Sequence, residues 1–479
     1  MYEKRYKRLE DYPQPRITKV DLQLDFYPED RAAEFRAEFQ VHSSYKGSMD
    51  TLYLNFPDFT HYQKFLWEGD EVKPSWVDAD LNFMALPVKM LPDSSGTLVL
   101  EGARVHTGFT QDKHTQQPEL TYNGSFLRAQ DLLPVIGYSD ELELQENRYR
   151  KDWGLEKLGS RMADVTDSTA LTEDAYSPDA TWLTGTIALT TSKDQVAIGP
   201  GELKDSGTTG TRSYAHYSIE NPSPFEWYFG SASYQDVAAQ INEVNVRIYH
   251  KPKHTYNIPF FKKSVVSALD FVQTELGEYP YAELKIMEIP FYQDPHYSFP
   301  NTIAISEKEG WFADTTSFDN KVYLSFTLAS NIVKHWVMQN VPTANVQGAD
   351  MLRKALPEAL AVQVIRKEYG EKGVDWLITK KQGLYSRERG TEPNTEPPLV
   401  AADGIAYLEE NKGTIELYRF SELLGFESFN TSVKNWSRGL DTNATFADLY
   451  QDLLESEILK QVPLGDMDRL KDAFEKVEP

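Results

Sequence analysis

The chain has 479 residues, no cysteine and a formal net charge of −24 at pH 7. This length exceeds what one hydrophobic core fills, so at least two domains are expected, and aromatic residues at 13% can pack their interiors. The acidic balance argues against nucleic acid or an anionic membrane as the main partner, because such surfaces need clustered lysine and arginine. The lack of cysteine excludes disulfides, thiolate catalysis and cysteine-ligated zinc.

The first half of the chain, residues 1–240, is predicted to be a β-rich domain. Short runs there alternate apolar and polar residues between clusters of Pro, Gly, Asp and Ser, which is typical of antiparallel strands in a saddle or sandwich. The predicted strands are 17–26, 33–41, 51–55, 97–100, 181–190, 196–198, 213–219 and 227–234. The polar stretch 137–179, with a short helix at 140–149, is interpreted as a surface connection, and a binding lid is the alternative.

The second half, residues 241–479, is predicted to be α-rich because its apolar residues recur every three to four positions. Strands are expected at 244–249 and 284–288, and an edge strand leads into a Ser-Phe-Pro-Asn run at 298–301. The predicted helices are 259–276, 323–340, 351–369, 374–383, 404–424, 426–439, 445–456 and 467–477.

The stretch 328–369 carries the most informative pattern. An apolar helix with Trp336 is followed by the run Ala-Asn-Val-Gln-Gly-Ala at 344–349 and then by a second apolar helix. In an HExxH zinc peptidase, two histidines on one helix face bind the metal, the Glu between them is the general base, and a Glu from a later helix completes the site. The framework of such a helix pair is present here, but its ligands are not.

On these residues the chain resembles the M1 (gluzincin) aminopeptidases, and most of all the M1-like extracytoplasmic domains fused to ABC-2 type permeases. In those domains an HExxH motif precedes a run like that at 344–349. The resemblance implies an α+β multidomain fold. An N-terminal antiparallel β saddle or sandwich (1–240) is followed by a thermolysin-like, α-rich M1 catalytic-type domain (241–479).

Aligned on the 344–349 run, the resemblance places Ser330 and Lys334 at the two histidine positions, Asn331 at the general base and Lys354 at the third ligand. An ammonium group has no lone pair for a metal and carries the wrong charge, so both lysines are expected to repel zinc. A shift of one residue makes His335 the second ligand, but it supplies neither a first histidine nor a Glu. We therefore interpret His335 as an ordinary packed imidazole.

Two further M1 elements are altered. Pro300 replaces the Glu that anchors the substrate amine in the GxMEN segment, as the permease-fused branch also has it, while Asn301 is kept. Glu410 stands where the YxKG tyrosine stabilises the oxyanion, and its carboxylate would oppose that charge. Elsewhere, His250 and His254 have the spacing of a ligand pair, but a proline lies between them and no metal site is predicted there.

The sequence thus predicts a catalytically inactive M1-like domain, with no cofactor, retained as a binding or structural module. One alternative is a zinc-dependent aminopeptidase with a rearranged site, and another is a fold that braces a transporter and binds nothing. Lys334 and Lys354 are predicted to replace the metal's charge, the first by reaching Glu410 and the second by pairing with Glu358 at helical spacing. The candidate groove consists of Asn301, Ser330, Asn331, Lys334, His335, Lys354, Glu358 and Glu410.

The expected partner is a peptide or protein ligand, not a nucleic acid. No run is apolar enough to span a bilayer, so the chain itself is expected to be soluble. The resemblance implies tethering to a membrane permease in a longer protein, with this chain on the extracytoplasmic (periplasmic) face.

Overall fold

The computed structural model describes residues 1–106, 119–391 and 395–476; the last position of the helix predicted at 467–477 lies outside them. The strands within this part are β1 (Arg16–Tyr27), β2 (Ala32–Ser43), β3 (Met49–Asn55), β4 (Thr60–Trp67), β5 (Asp70–Glu71), β6 (Ser75–Asp78), β7 (Phe83–Met90), β8 (Ser94–Val105), β9 (Ser125–Arg128), β10 (Val135–Ile136), β11 (Ala180–Ser192), β12 (Val196–Ile198), β13 (Glu202–Thr209), β14 (Arg212–Ser223), β15 (Tyr228–Ala232), β16 (Gln235–Ile241), β17 (Val244–His250), β18 (Glu283–Ile289), β19 (His296–Phe299) and β20 (Thr302–Ser306).

The helices are α1 (Tyr2–Tyr6), α2 (Asn147–Asp152), α3 (Ile258–Phe271), α4 (Phe318–Asn340), α5 (Leu356–Arg389), α6 (Thr414–Leu424), α7 (Phe426–Arg438), α8 (Phe446–Glu455) and α9 (Leu464–Glu475). Wider π-helical turns follow α3 at Val272–Leu276 and β20 at Glu307–Trp311, and precede α5 at Met351–Ala355 and α6 at Leu408–Gly413.

The first half forms sheets, as predicted. Its largest sheet has the strand order β13-β14-β11-β1-β2-β8-β4-β5, and smaller sheets have the orders β10-β3-β7-β6 and β12-β15-β9. The predicted alternation is visible in β1, where Val20, Leu22 and Leu24 are each at most 1% exposed and point into the core. The strand pairs of these sheets are antiparallel, as predicted, except that β1 and β11 run parallel.

The second half contains a five-stranded sheet, in the order β16-β17-β18-β20-β19, covered by helices. Strands β17, β18 and β20 are parallel, and the edge strands β16 and β19 are antiparallel to their neighbours. Since β16 begins at Gln235, this sheet starts before residue 240. The division of the chain into domains at that residue stays a prediction.

Helices α4 and α5 form the centre of the second half. Most residues of α4 are buried, which is typical of a helix surrounded by protein. Within the described ranges, no helix, α4 included, has an apolar stretch long enough to cross a membrane.

Within α5 the chain reverses at Gly370, whose φ of 65° is accessible to glycine. The Lys381 ammonium therefore lies 2.7 Å from the Glu358 carboxylate, whereas a straight helix would separate residues at that spacing by roughly 34 Å. This reversal agrees with the predicted break between the helices 351–369 and 374–383.

An apolar cluster joins the two halves. Phe126 and Tyr228 from the first half pack with Tyr249, Met287 and Phe299 from the second. Beside it, the buried Lys285 ammonium donates hydrogen bonds to the carbonyls of Gly199 at 2.8 Å and Gly201 at 2.5 Å. The junction thus combines apolar packing with polar bonds across the chain's two halves.

The connection 137–179 is bound to the 344–349 run by main-chain hydrogen bonds. Asn345 N–H donates to the Glu173 carbonyl at 3.0 Å, Gln347 N–H to Ala163 at 2.8 Å, and Ala175 N–H to Thr343 at 2.9 Å. The helix expected at 140–149 is replaced by a short 3₁₀ turn and α2. We call this paired segment the strap.

Candidate functional site

The motif site, by which we mean Ser330, Asn331, Lys334, Lys354 and Glu410, is built by α4 and the turns before α5 and α6. Ser330 Oγ donates a hydrogen bond to the Thr327 carbonyl at 3.1 Å, and Asn331 Nδ2 donates to the same carbonyl at 2.7 Å. Both side chains therefore bond back to their own helix. Neither is arranged as a nucleophile or a base.

Lys334 lies one turn further along α4 and is partly buried. Burial lowers its pKa; Glu226 opposes this shift, and the nearby cations Arg353 and Lys354 add to it. Among the residues that the structure describes, no hydrogen-bond or ion-pair partner is found for its ammonium. The predicted reach of Lys334 to Glu410 is therefore wrong.

His335 is a structural residue, as interpreted from the sequence. Its Nδ1 lies 2.7 Å from the Tyr279 hydroxyl and its Nε2 lies 3.2 Å from the Thr302 carbonyl, so both ring nitrogens have partners. Burial lowers the pKa of this imidazole to about 3. The ring stays neutral and ties α4 to β20.

Lys354 lies in the π-helical turn before α5 and forms two ion pairs. Its Nζ is 3.1 Å from Asp350 Oδ2 and 3.5 Å from Glu410 Oε1. Burial works against its charge, but these carboxylates outweigh burial and raise the pKa of Lys354. The predicted partner Glu358 is wrong, because Glu358 instead accepts from Lys381 Nζ and Thr414 Oγ1, each at 2.7 Å.

Two carboxyl groups that sequence reasoning missed also belong to this region. Burial and the neighbouring Asp350 carboxylate raise the pKa of Glu409 to about 8, so this side chain is largely protonated at neutral pH. For Asp350, burial is outweighed by Arg353 and Lys354, which hold its pKa below the ordinary value. Asp350 precedes Lys354 by four residues, a spacing that could have revealed the pair.

Asn301 has a role at the junction of the two halves. Its Nδ2 donates to the Gly201 carbonyl at 2.8 Å, and its Oδ1 accepts from Gly201 N–H at 3.1 Å. Its φ of 53° is left-handed, a conformation that asparagine tolerates. The structure thus gives Asn301 a positioning role that ties the start of β20 to the first half.

The side chains of the motif site do not fit zinc. Structural and catalytic zinc sites use thiolate, imidazole and carboxylate ligands. Here two positions carry ammonium groups, which have no lone pair to give, and two carry neutral side chains that are bonded to a helix carbonyl.

A separate group, His254, Glu288 and Glu307, brings three ligand-type atoms within 4.8 Å of one another. Its carboxylates already have protein partners. The Lys251 ammonium pairs with Glu307, the Lys251 N–H donates to Glu288 at 2.8 Å, and His254 bonds to Glu288. His250 does not join the group, because its Nδ1 faces the Lys251 carbonyl. We interpret these residues as a buried ion cluster that links the carboxyl ends of β18 and β20.

No family model and no curated protein matches the chain. Among solved structures it is similar to an M1 zinc metallopeptidase from Deinococcus radiodurans, with a TM-score of 0.64 and 12% identity over 98% of this chain and 95% of that one. A mutant of that protein bound to a Tyr-Ser-Ala substrate gives the same score and identity, with 96% of its chain covered. A two-domain M1 zinc metallopeptidase mutant bound to L-arginine gives a TM-score of 0.63 and 13% identity, covering 98% of this chain and 96% of that one. The chain therefore has the M1 metallopeptidase fold, with an N-terminal β-sheet domain followed by a helical region.

Proposed function

We propose that this chain is a catalytically inactive M1-like domain that works as a binding module. The observation that supports the proposal most is the pair of ammonium groups, Lys334 and Lys354, at positions where the resemblance expects metal ligands. Lys354 is held there by Asp350 and Glu410, so its charge is part of the local structure.

The remaining positions are consistent with inactivity. A hydrolase needs a general base and a group that stabilises the oxyanion. Asn331 cannot accept a proton as a base and is bonded to its own helix, and Glu410 brings a carboxylate to the place of the oxyanion donor. Without metal ligands, a general base and an oxyanion donor, the motif site has no residue that could perform metal-assisted hydrolysis.

The first test measures metal content and activity together. We expect the purified protein to contain no zinc at unit stoichiometry, and calorimetric titration with Zn²⁺ to detect no submicromolar site. Aminoacyl reporter substrates should not be cleaved above a chelator-treated control. Chelator-sensitive cleavage would instead establish the alternative, a zinc aminopeptidase with a rearranged site.

A second test restores the ligands. The combined substitutions Ser330→His, Asn331→Glu, Lys334→His and Lys354→Glu should recover zinc binding more readily than turnover, because Glu410 would still oppose the oxyanion. Adding Glu410→Tyr should then raise kcat. Full activity of the fourfold variant alone would show that position 410 does not correspond to the catalytic tyrosine.

The proposal extends to location. The resemblance to M1-like domains fused to ABC-2 type permeases supports an extracytoplasmic position as part of a membrane protein. A membrane-impermeant amine reagent applied to intact cells that make the natural protein should label lysines of this chain. Labelling only after the cells are lysed would contradict this location.

A further inference from the structure

The five-stranded sheet ends in β16, whose outer side is open. β16 has seven residues and pairs with β17 alone, in a continuous register from Gln235 to Ile241. Nowhere in the described ranges does another strand, or a main-chain hydrogen bond from a loop, reach its outer side. The N–H and C=O groups that point outward from this strand are therefore available to a second chain.

The strands that end the other sheets carry features that discourage such pairing. β5, β6, β9, β10, β12 and β19 have at most four residues each. β13 is longer, but its register shifts between Leu203 and Asp205, and Lys204 lies at that shift. Short strands, bulges and edge lysines are the usual protection against strand addition. β16 has no bulge, lysine or proline, so it keeps the geometry that an added strand needs.

A groove of about 410 Å³ lies against this edge, at the junction of the two halves. Ala238 and Gln240 of β16 line it together with Arg247 of β17 and Glu283 of β18, while Glu202 lines it from the first half. The four residues from the second half face the same side of the sheet, because they are paired across neighbouring strands. Side chains of an added strand alternate between its two faces, so every second one would point to the side of the groove.

Glu283, at the groove, keeps one carboxylate oxygen without a partner. Its side chain is 9% exposed, and Arg247 Nε lies 3.3 Å from its Oε1. Its Oε2 is buried and accepts no hydrogen bond from any residue that the structure describes, and the Lys285 ammonium is 3.9 Å away. A buried acceptor without a donor costs free energy. A positive charge brought into the groove would offset part of this cost.

The surroundings of the groove are acidic overall. Four carboxylates share three cations there: Arg247 pairs with Glu283 and Asp236, and Lys204 pairs with Glu202 and Glu220, at 2.8–3.3 Å, while Lys285 is the third cation. The turn between β16 and β17 adds the exposed Glu243. The groove therefore favours a basic side chain over an acidic one.

We propose that β16 and this groove bind an extended, basic segment of a partner protein, which adds to the sheet as a further strand. Main-chain hydrogen bonds along β16 supply the affinity, and a lysine or arginine over the groove supplies the selectivity. A second copy of this chain suits the surface less, since the net charge of −24 opposes self-association. None of the residues that line the groove belongs to the motif site, so the inference does not depend on the proposed inactivity.

The experiment uses peptides of seven residues, the length of β16. The basic probe is acetyl-Thr-Lys-Val-Lys-Val-Lys-Thr-amide, whose lysines share one face of a strand, and the acidic probe has glutamate in place of each lysine. A third probe is the basic peptide with N-methyl groups on its three central residues, so that it cannot form a ladder of hydrogen bonds. In isothermal titration calorimetry the basic probe should bind roughly tenfold more tightly than the acidic one. The methylated probe should not bind.

Hydrogen exchange locates the bound peptide. Amide exchange of residues 235–241 should slow when the basic probe is added, because the outward N–H groups of β16 gain acceptors. Exchange of β19, at the opposite edge of the same sheet, should stay unchanged.

Variants identify the surface responsible. Ala238→Lys places a lysine on the open strand and should abolish binding of the basic probe, because it fills the groove and repels the probe. Thr208→Lys, at an exposed position near the end of β13, is the matched control and should bind like the wild type. Glu202→Gln should weaken the preference for the basic probe. The Glu202 side chain is 55% exposed, so this variant keeps the test decisive if thermal unfolding shows that Ala238→Lys is unstable.

The inference is overturned if the acidic or the methylated probe binds as tightly as the basic one, if no probe binds, or if Ala238→Lys binds like the wild type. Dimers in light scattering, with slow exchange at β16 before any probe is added, would also overturn it, because the edge would then pair with a second copy. Zinc content and peptidase turnover test the proposed function separately, so either conclusion can fail without the other.

Discussion

Substitution of the buried Lys285 by methionine should change how stability depends on pH. Lys285 lies in β18 with a fully buried side chain, and its ammonium is held by the carbonyls of Gly199 and Gly201. The nearest carboxylate, Glu283 Oε2, is 3.9 Å away. Burial lowers the pKa of Lys285 from 10.5 to about 8.

The sign of the effect follows from proton binding in the two states. Below pH 8 Lys285 is charged in both the folded and the unfolded chain, and the folded state bears the full cost of burying the charge. Between about 8 and 10.5 the folded chain has lost the proton while the unfolded chain keeps it, so the free energy of unfolding rises with pH. From pH 7 to pH 10 this rise amounts to about 2.5 kcal/mol for wild type relative to Lys285→Met.

Urea unfolding at a series of pH values measures this difference. Other groups titrate in the same range, so the informative quantity is the wild-type free energy of unfolding minus that of the variant at each pH. The exposed Lys193, in the turn after β11, gives the matched control, and Lys193→Met should follow the wild-type profile. Parallel profiles for wild type and Lys285→Met would refute the reasoning.

The other substitutions test charges around the motif site. The side chains of Lys354 and Glu410 are 34% and 45% exposed, so solvent screens their ion pair. A double-mutant cycle with Lys354→Met and Glu410→Gln should therefore give a coupling free energy below about 1 kcal/mol. A larger coupling would contradict this screening. Glu358→Gln should lower the free energy of unfolding, measured in urea, by about 2 to 3 kcal/mol, because it leaves the Lys381 ammonium, whose side chain is only 8% exposed, without its counter-ion. An unchanged free energy of unfolding would contradict this. For Glu409, whose pKa is raised from 4.5 to about 8, stability should fall as pH rises through that interval, and Glu409→Gln should flatten the decline in denaturant midpoints.

The strands that the sequence did not predict are largely those at sheet edges. β13 is the first strand of the eight-stranded sheet, and nearly all of its residues are exposed, so it has no apolar alternation to detect. β16 occupies the same kind of position in the five-stranded sheet and buries little beyond Ile241. Edge strands are held by main-chain bonds on one side, and their side chains need not be apolar. Central strands such as β1 were predictable because both their neighbours and their core face constrain them.

In the motif site, the partners predicted for Lys334 and Lys354 were wrong because they depend on contacts that the sequence does not show. Helical spacing allowed Lys354 to pair with Asp350 before it or Glu358 after it, and local sequence does not decide between them. The choice depends on Lys381, which the reversal at Gly370 brings back to Glu358. Such a contact between distant turns is a property of the tertiary fold.

The strap offers a reason why the 344–349 run can be kept whatever chemistry the neighbouring helix supports. Its bonds run between main-chain groups, which do not depend on which side chains stand nearby. Within the 344–349 run, Gly348 has a φ of 86°, which residues with a side chain rarely adopt, and its N–H donates to the Ala402 carbonyl at 2.6 Å. A Cβ added there would lie 3.0 Å from Phe446 Cβ, which is a tight contact. The main-chain bonds and the backbone conformation of Gly348 therefore constrain this run independently of the side chains on the neighbouring helix. A sequence search that relies on this run would therefore not distinguish a peptidase from a chain whose neighbouring helix lacks catalytic residues.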